Sequence, residues 1–222
     1  SMKRRDFIHK SAAVAAGTGI VSTIPGTARA ATRILGANEK IKVGAIGLKG
    51  MGWSDLASFL KNKDVECVAL CDVDRNILEG RGGQLEKIQG KKAALYGDYR
   101  KLLEHKDLDA VIIGTPDLWH TLPMIEACQA GLDVYVEKPI ANSIEEIDLM
   151  IKAQKKYGSV VQVGQWQRSD PHWKNAIDFV HSGKLGKIRT VKSWVYLDWK
   201  HELPVQPDAP VPEGVDYDFW LG

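Results

Sequence analysis

The sequence predicts an α/β fold built on a parallel sheet, and two patterns predict it. From Lys40 onward, apolar runs of five to eight residues alternate with segments of helical period, and short connections join them. Runs such as Ala110–Ile113 show no polar alternation, which is typical of strands covered on both faces. The chain has 222 residues, 44% of them hydrophobic and 26% charged, which excludes a disordered chain and a small disulfide scaffold.

The elements are predicted in strict alternation. Strands are predicted at residues 41–47, 66–72, 92–96, 109–114, 132–137 and 159–164, and helices at 51–62, 74–88, 98–105, 118–130, 143–157 and 170–182. Ser143 with Glu146 forms a capping box at the start of one helix, and Gly131 and Gly158 stand where two helices should end in a left-handed residue.

The pattern changes after Gly186. Residues 187–197 alternate like a half-buried strand, with Trp194 and Tyr196 on the same face as Lys192. Four prolines between residues 204 and 212 exclude regular structure there.

The first thirty residues have the organisation of a secretory signal. A basic region at 3–10 precedes an apolar stretch at 11–24 and a small-residue cleavage site at 28–30. The paired Arg4 and Arg5 indicate the twin-arginine type, which predicts a periplasmic or otherwise exported protein. A basic amphipathic arm is the alternative interpretation. The apolar stretch is too short for a membrane anchor.

The charge balance argues against nucleic acid as a partner. The formal net charge is +2, but the first thirty residues carry +4, so the remainder carries −2 with acids and bases interspersed. Cys67 and Cys71 lie four residues apart in one predicted strand, about 13 Å from each other, which is too far for a disulfide.

A glycine-rich turn, residues 47–52, follows the first predicted strand and opens the first predicted helix. In dinucleotide-binding folds the first glycine allows the tight turn, the second lets the backbone approach the pyrophosphate, and the third lets helix and strand pack closely. Gly47 and Gly52 fill the first and third positions, whereas Lys49 stands at the second and Gly50 follows it, ahead of Met51. An ammonium there could compensate electrostatically. An ordinary tight turn is the alternative.

Asp72 ends the second predicted strand, 20 residues after Gly52. A carboxylate at this place accepts hydrogen bonds from the adenosine ribose and repels a 2′-phosphate, so NAD is favoured over NADP. Arg75 nearby keeps NADP open. The alternative is that Asp72 caps the helix beginning near Asp74. Together with the turn, Asp72 predicts a Rossmann-type dinucleotide site.

Polar residues also follow the fourth and fifth predicted strands. Thr115, Pro116 and His120 follow the fourth, and Glu137 and Lys138 follow the fifth. Open parallel sheets bind ligands at the carboxyl ends of their strands. A surface ion pair and a structural histidine are the alternatives for Lys138 and His120.

Taken together, these residues resemble the Gfo/Idh/MocA family, the relatives of glucose-fructose oxidoreductase and inositol dehydrogenase. The resemblance runs from residue 41 to residue 222. It rests on the glycine turn, Asp72, Thr115-Pro116 with His120, Glu137-Lys138-Pro139, Gly164-Gln165-Trp166-Gln167-Arg168, and Gly183-Lys184-Leu185-Gly186-Lys187-Ile188.

The resemblance implies the domains and the roles of the site residues. Residues 38–164 would form the NAD-binding Rossmann domain, and 165–222 the start of a C-terminal substrate and oligomerisation domain that continues in the family beyond the end of this sequence. The implied catalytic residues are Lys138, Glu137 and His120, with Lys138 assisting deprotonation of the reacting hydroxyl and Pro139 following a cis bond. Thr115, Pro116, His120, Glu137, Lys138 and Gln165 would join the glycine turn and Asp72 at the cofactor, and Lys138, Gln167 and Arg168 would contact substrate.

The expected function is that of an NAD(P)-dependent oxidoreductase acting on a sugar or cyclitol hydroxyl. Because free NAD is a cytoplasmic metabolite, export predicts a tightly bound cofactor that is recycled internally. An NAD-assisted glycosidase or lyase working by transient oxidation, and a non-catalytic NAD-containing sugar-binding or scaffold protein, are the alternatives. No metal is expected. The resemblance also implies a homo-oligomer of the full-length protein, with Trp194, Tyr196 and Trp199 in the segment between subunits.

Overall fold

The computed structural model describes residues 40–195 and 204–222, and its centre is a six-stranded parallel sheet. The strand order is β3-β2-β1-β4-β5-β6. The strands are β1 Ile41–Ile46, β2 Val65–Cys71, β3 Ala94–Tyr96, β4 Ala110–Ile113, β5 Asp133–Val136 and β6 Val161–Val163. The predicted signal peptide, Tyr196 and Trp199 lie outside the described residues.

The helices alternate with these strands as predicted. They are α1 Met51–Phe59, α2 Arg75–Gln89, α3 Tyr99–Leu103, α4 Thr121–Gln129, α5 Ile144–Tyr157, α6 Pro171–His181 and α7 Tyr217–Leu221. The predicted helix start at Ser143 is confirmed, since its hydroxyl accepts from the backbone N–H of Glu146 at 3.2 Å. The carboxylate of Glu146 reaches back one residue further than in a standard capping box, to the N–H of Asn142 at 2.9 Å. Gly131 and Gly158 have the positive φ angles that the sequence predicts.

Both faces of the sheet are covered, which the unbroken apolar runs predict. Val111 and Ile113 belong to one buried cluster and Ile112 to another on the opposite face. The cluster of Val111 includes residues of α3, α4 and α5, while that of Ile112 includes residues of α1 and α2. The parallel α/β prediction is therefore confirmed. Cys67, Cys71 and Cys128 are free and buried.

The sheet is doubly wound, and its direction of winding reverses between β1 and β4. At that point the first turn of α1 meets the ends of both strands through glycine backbone alone. A Cβ on Gly52 would collide with the carbonyl oxygen of Gly47, and a Cβ on Gly114 would collide with the Cα of Gly52. Close packing of helix and strand by the third glycine is thus observed, with Gly114 as an additional partner.

The strand predicted at 187–197 is wrong for the part that the structure describes. Residues 187–195 form no regular element, and Val191, Trp194 and Val195 are exposed. A strand is stabilised by a neighbouring strand, and no strand of residues 40–195 or 204–222 pairs with this segment. The irregular structure predicted for 204–212 is confirmed. No helix of the described ranges has the length and apolar character needed to span a bilayer.

Two glycine-to-alanine substitutions within helices are expected to have opposite effects on stability. Gly52→Ala should destabilise the fold by about 1–3 kcal/mol, because the methyl group must displace backbone atoms. Gly83→Ala, in α2 with open space around it, should stabilise by about 0.4–1 kcal/mol. Urea denaturation of both variants measures the difference. Equal shifts of the two midpoints would contradict the tight glycine contact.

Candidate cofactor and substrate site

A crevice of about 240 Å³ opens at the carboxyl edge of the sheet, where the direction of winding reverses. Open α/β sheets bind ligands at this place because the loops after neighbouring strands diverge there. Five of the sequence-predicted cofactor residues line the crevice: Gly47, Lys49, Asp72, Thr115 and Pro116.

The glycine turn supplies one wall of the crevice. Gly47 has φ 81° and Gly50 has φ 56°, both in the region that favours glycine. Space is open around the Cβ position of Gly50, so at this residue the backbone is accessible. Lys49 is exposed at the rim of the crevice. Met51 and Gly52 then begin α1. The N–H groups in the first turn of a helix are suited to an anion.

Asp72 holds this turn in place. Its Oδ2 accepts from the backbone N–H of Leu48 at 2.8 Å, and its Oδ1 accepts from the N–H of Asp74 at 3.0 Å. Each carboxylate oxygen has a second lone pair, so Asp72 can still accept ribose hydroxyls. The cap of α2 is Asp74, which accepts from Asn76 and Ile77, so the interpretation of Asp72 as that cap is wrong.

Arg81 supports the turn from the other side and is not among the predicted residues. Its Nε–H donates to the carbonyl oxygen of Leu48 at 3.2 Å, and its guanidinium lies 4.5 Å from the ring centre of Trp53. The backbone of Leu48 is therefore held by a carboxylate and a guanidinium together.

The chain end forms a further wall that the sequence does not predict. Residues 213–222 return to the sheet edge, where the N–H of Asp216 donates to the carbonyl oxygen of Val73 at 3.0 Å. Phe219 stacks on Tyr99 with ring centres 6.1 Å apart, and the indole N–H of Trp119 donates to the carbonyl oxygen of Trp220 at 2.9 Å. The lining of the crevice on this side includes Val73, Asp74, Ile77, Val215, Phe219 and Trp220.

His120 links the loop that follows β4 to the loop that follows β5. It is 1% exposed, and its ring nitrogens face two backbone carbonyl oxygens, Nδ1 that of Pro139 at 2.7 Å and Nε2 that of Thr115 at 2.9 Å. A ring held in this way fixes the loops after β4 and β5 against each other. The geometry favours the structural alternative for His120 over direct proton transfer to a substrate.

The side chains of the neighbouring residues Glu137 and Lys138 lie in different surroundings. Glu137 is 3% exposed, and its Oε2 accepts from the backbone N–H of Lys138 at 3.2 Å. Lys138 is exposed, and its peptide bond to Pro139 is cis, as the resemblance implies. The carboxylate therefore lies inside the sheet edge, and the ammonium group lies on the side of the solvent.

A second depression of about 390 Å³ brings the predicted substrate residues together. It is lined by Lys138, Gly164, Gln165, Trp166, Gln167 and Arg168. Gln165 lies here beside the substrate residues rather than in the crevice lined by Asp72. Two cationic side chains and two amides thus line one depression beside the end of β5.

One buried carboxyl near this edge escapes the sequence prediction. Asp55 lies on α1, and burial raises its pKa to about 6, with repulsion by Glu137 adding to the effect. Burial also raises the pKa of Tyr135 to about 12, and the carboxylates of Asp55 and Glu137 contribute. An acid on the same face of a helix as Gly52 and Leu56, which are buried, is the sequence signal that could have indicated it. In the described ranges, no group of three or more His, Cys, Asp or Glu could hold a metal.

Comparisons with known proteins extend this picture. The family model GFO_IDH_MocA, described as "Oxidoreductase family, NAD-binding Rossmann fold", matches residues 41–165. A glycosyl hydrolase family 109 protein of Stenotrophomonas maltophilia is 30% identical over an alignment of 230 residues, which covers 98% of this chain and 48% of that protein. A 1-carboxy-3-chloro-3,4-dihydroxycyclohexa-1,5-diene dehydrogenase of Comamonas testosteroni is 30% identical over 159 residues, with 72% and 39% covered.

Solved structures show the same fold. A myo-inositol 2-dehydrogenase from Lactobacillus plantarum superposes with a TM-score of 0.62 at 30% identity, covering 68% of this chain and 43% of that one. A scyllo-inositol dehydrogenase from Lactobacillus casei with bound NAD(H) and scyllo-inositol gives a TM-score of 0.61 at 27% identity, covering 67% and 43%. The chain spans less than half the length of each of these relatives.

Removal of the Asp72 carboxylate is expected to weaken NADH binding and to reduce discrimination against NADPH. Hydrogen bonds to a charged group contribute about 1.5–3 kcal/mol, so Asp72→Ala should lower NADH affinity about 10- to 100-fold. NADPH affinity should fall less, because a repulsive charge is removed as well. Calorimetric titration with both cofactors measures this, and Asp64→Ala, an exposed carboxylate, is the control. Unchanged affinities would contradict the assignment.

Proposed function

Because the chain belongs to the GFO_IDH_MocA oxidoreductase family, which has an NAD-binding Rossmann fold, we propose that the protein oxidises or reduces a sugar or cyclitol hydroxyl. The observation that carries the proposal is the pair of neighbouring sites at one sheet edge. A glycine-walled crevice lies beside Asp72, and a depression with two cationic side chains lies beside Lys138.

The residues of the crevice fit NAD. The open backbone at Gly50 and the first turn of α1 suit a diphosphate, and the carboxylate of Asp72 suits a ribose diol. Asp74 adds a second negative charge at the adenosine end, which disfavours a 2′-phosphate. Bound NAD would supply the hydride acceptor or donor for the reaction.

The chain's own contribution to the chemistry is assigned to the second depression. Lys138 would hold the reacting hydroxyl and stabilise the negative charge that develops on its oxygen. Gln165, Gln167 and Arg168 line the same depression and would orient the neighbouring hydroxyls of a polyol. Inositol is the ligand of the scyllo-inositol dehydrogenase that shares this fold, which supports a polyol here.

Tight retention of the cofactor is the part of the proposal that follows from export. The first thirty residues carry the twin-arginine pattern, and this export route moves folded proteins. A cofactor loaded before export must complete its redox cycle on the enzyme, since no external NAD pool restores it. Val215, Phe219 and Trp220 line the crevice, and a wall at this place would slow the release of a bound cofactor.

A second candidate function is NAD-assisted cleavage of a glycosidic bond. The similarity to a glycosyl hydrolase family 109 protein over 98% of this chain favours it. Transient oxidation of the sugar would acidify a neighbouring C–H bond and allow the leaving group to depart. Water addition and re-reduction would then complete the cycle without net use of NAD.

A non-catalytic sugar-binding or scaffold role is the third candidate, with Lys138 as a surface cation. A homo-oligomer of the full-length protein fits each of the three. Trp194, which is exposed, lies in the segment that would join the subunits.

The full-length protein purified from the exported fraction is expected to contain about one NAD per chain. Tight binding should survive dialysis, because cofactor lost outside the cytoplasm could not be replaced. Absorbance and mass spectrometry of the denatured protein measure the content. Cofactor-free protein that turns over only with millimolar added NAD would contradict internal recycling.

Lys138→Ala in the full-length protein is expected to keep the bound cofactor and lose turnover by about 10²- to 10⁴-fold, the usual contribution of a general acid or base. A panel of free sugars and glycosides, assayed for oxidised or reduced sugars and for released aglycone, separates the first two candidates. Lys155→Ala, on the exposed side of α5, is the control. Absence of turnover in the unaltered protein across the panel would favour the scaffold role.

A further inference from the structure

Asp55 occupies a position in α1 where a charge is costly. The residues of α1 that are buried against the sheet are Gly52, Asp55 and Leu56. Asp55 is 8% exposed, and its Oδ2 is buried without a hydrogen-bond partner among the residues that the structure describes. Because an unpaired buried carboxylate is strongly destabilised, this oxygen needs a proton or a donor.

The groups that face Asp55 come from the end of β5. Phe59, one turn after Asp55 on the same helix, packs edge-on against Tyr135 with ring centres 5.4 Å apart. The Tyr135 hydroxyl lies 3.5 Å from Oε1 of Glu137, and Glu137 acts on Asp55 electrostatically. The buried Asp55 and Glu137 and the partly buried Tyr135 therefore lie near one another, and we call these three residues the carboxyl cluster.

Gly164 of the neighbouring chain segment makes room for the carboxyl cluster. A Cβ on Gly164 would collide with Oε1 of Glu137 and would lie 3.0 Å from the Tyr135 hydroxyl. The glycine that begins the Gly164-Gln165-Trp166-Gln167-Arg168 motif thus fixes where the Glu137 carboxyl lies. The location of this carboxyl group therefore depends on the absence of a side chain at residue 164.

Two cations lie on elements packed against α1, and both have other partners. Arg81 of α2 lies over the ring of Trp53 and donates to the carbonyl oxygen of Leu48. Helix α1 contacts β1 and β4, and the only charged residue of these two strands is Lys42. Lys42 lies near the start of β1, where its Nζ is 3.7 Å from Asp107. Lys138 is exposed and lines the substrate depression. Two carboxyls and a phenol therefore face each other in a region where ionising both carboxyls is disfavoured.

We propose that Asp55 keeps a proton within the carboxyl cluster, and that the neutral Asp55 is a positioning residue for Glu137 beside Lys138. The retained proton is a property of the fold without cofactor. Its effect on turnover rests on the proposed function.

The direction of the pH effect follows from the raised pKa of Asp55, about 6 in the fold against 3.8 as the ordinary value. The folded state binds the proton more tightly than the unfolded state, so the stabilisation is fully present below pH 3.8. It is lost as the pH rises through about 6. Above that pH Asp55 carries a buried negative charge, and the fold loses stability relative to a variant that cannot ionise at this position.

The test compares Asp55→Asn with the unaltered chain, because an asparagine amide is neutral at every pH. Without cofactor, the folding equilibrium constant of the variant should exceed that of the unaltered chain about a hundredfold at pH 8, and the difference should vanish towards pH 4. Urea denaturation across this range measures it. Asp64→Asn, an exposed carboxyl, should show no pH-dependent difference. A difference that does not grow with pH would overturn the proposal that Asp55 retains a proton.

Infrared difference spectra identify the group directly. The unaltered chain should retain one protonated carboxyl above pH 5 that titrates near pH 6. The signal should be absent from Asp55→Asn and should titrate at lower pH in Glu137→Gln, where the repulsion is gone. A signal that persists unchanged in Asp55→Asn would assign the proton elsewhere and overturn the proposal. Because neither readout needs NAD, failure of cofactor binding would count against the proposed function alone.

The positioning role of Asp55 is tested by steady-state kinetics of the full-length enzyme. The pH profile of kcat should contain a step near pH 6 that Asp55→Asn removes while keeping most of the activity. Asp55→Leu, which has similar volume and no donor, should lower kcat with little change in KM. Equal activity in the leucine and asparagine variants would overturn the positioning role.

Discussion

The structure depends on one close approach, in which the first turn of α1 meets the ends of β1 and β4 through backbone atoms alone. A side chain at Gly52 or Gly114 would hold the helix away from the sheet. With the helix close, its N-terminal N–H groups open onto the crevice and the turn at Leu48 comes within reach of Asp72. The same approach brings Asp55 against the sheet, one turn further along the helix, near Glu137. The cofactor site and the carboxyl cluster are thus two consequences of one packing constraint.

The sequence predicts those parts of the fold that local patterns determine. The six strands and the first six helices are found within a few residues of their predicted bounds, because parallel strands buried on both faces need unbroken apolar runs. The predictions that are wrong, and the contacts that were not predicted, depend on residues far apart in the sequence. The alternation at 187–197 resembles a strand, but a strand requires a partner, and the described residues supply none. Phe219 packs on Tyr99 across 120 positions of sequence, a contact that no local pattern records.

In the candidate site too, local motifs predict some residues, whereas the roles of others depend on tertiary contacts. Residue types with a motif, such as Gly47, Asp72 and Lys138, are found at the carboxyl edge where the strand order predicts them. The roles of His120 and Asp55 depend instead on their surroundings. The ring of His120 has both nitrogens facing carbonyl oxygens, and this geometry cannot be read from its position before α4. The sequence does not distinguish Asp55 from an exposed acid on a helix. Its role depends on its own burial and on that of Glu137.

The final residues show that the cofactor site does not end with the Rossmann segment. The chain leaves β6 and passes through α6 and the proline-rich stretch. It then returns to the first half of the sheet, where Val215 pairs with Asp74 and Phe219 lies between Tyr99 and Trp119. The wall of the crevice beside Asp72 and Asp74 is therefore supplied in part from beyond the predicted domain boundary at residue 164. Because Phe219 packs between two aromatic rings of the Rossmann segment, this wall is held by direct contacts with that segment. The crevice is thus a joint product of the sheet edge and of a segment that lies about 50 residues further along the chain than the last strand.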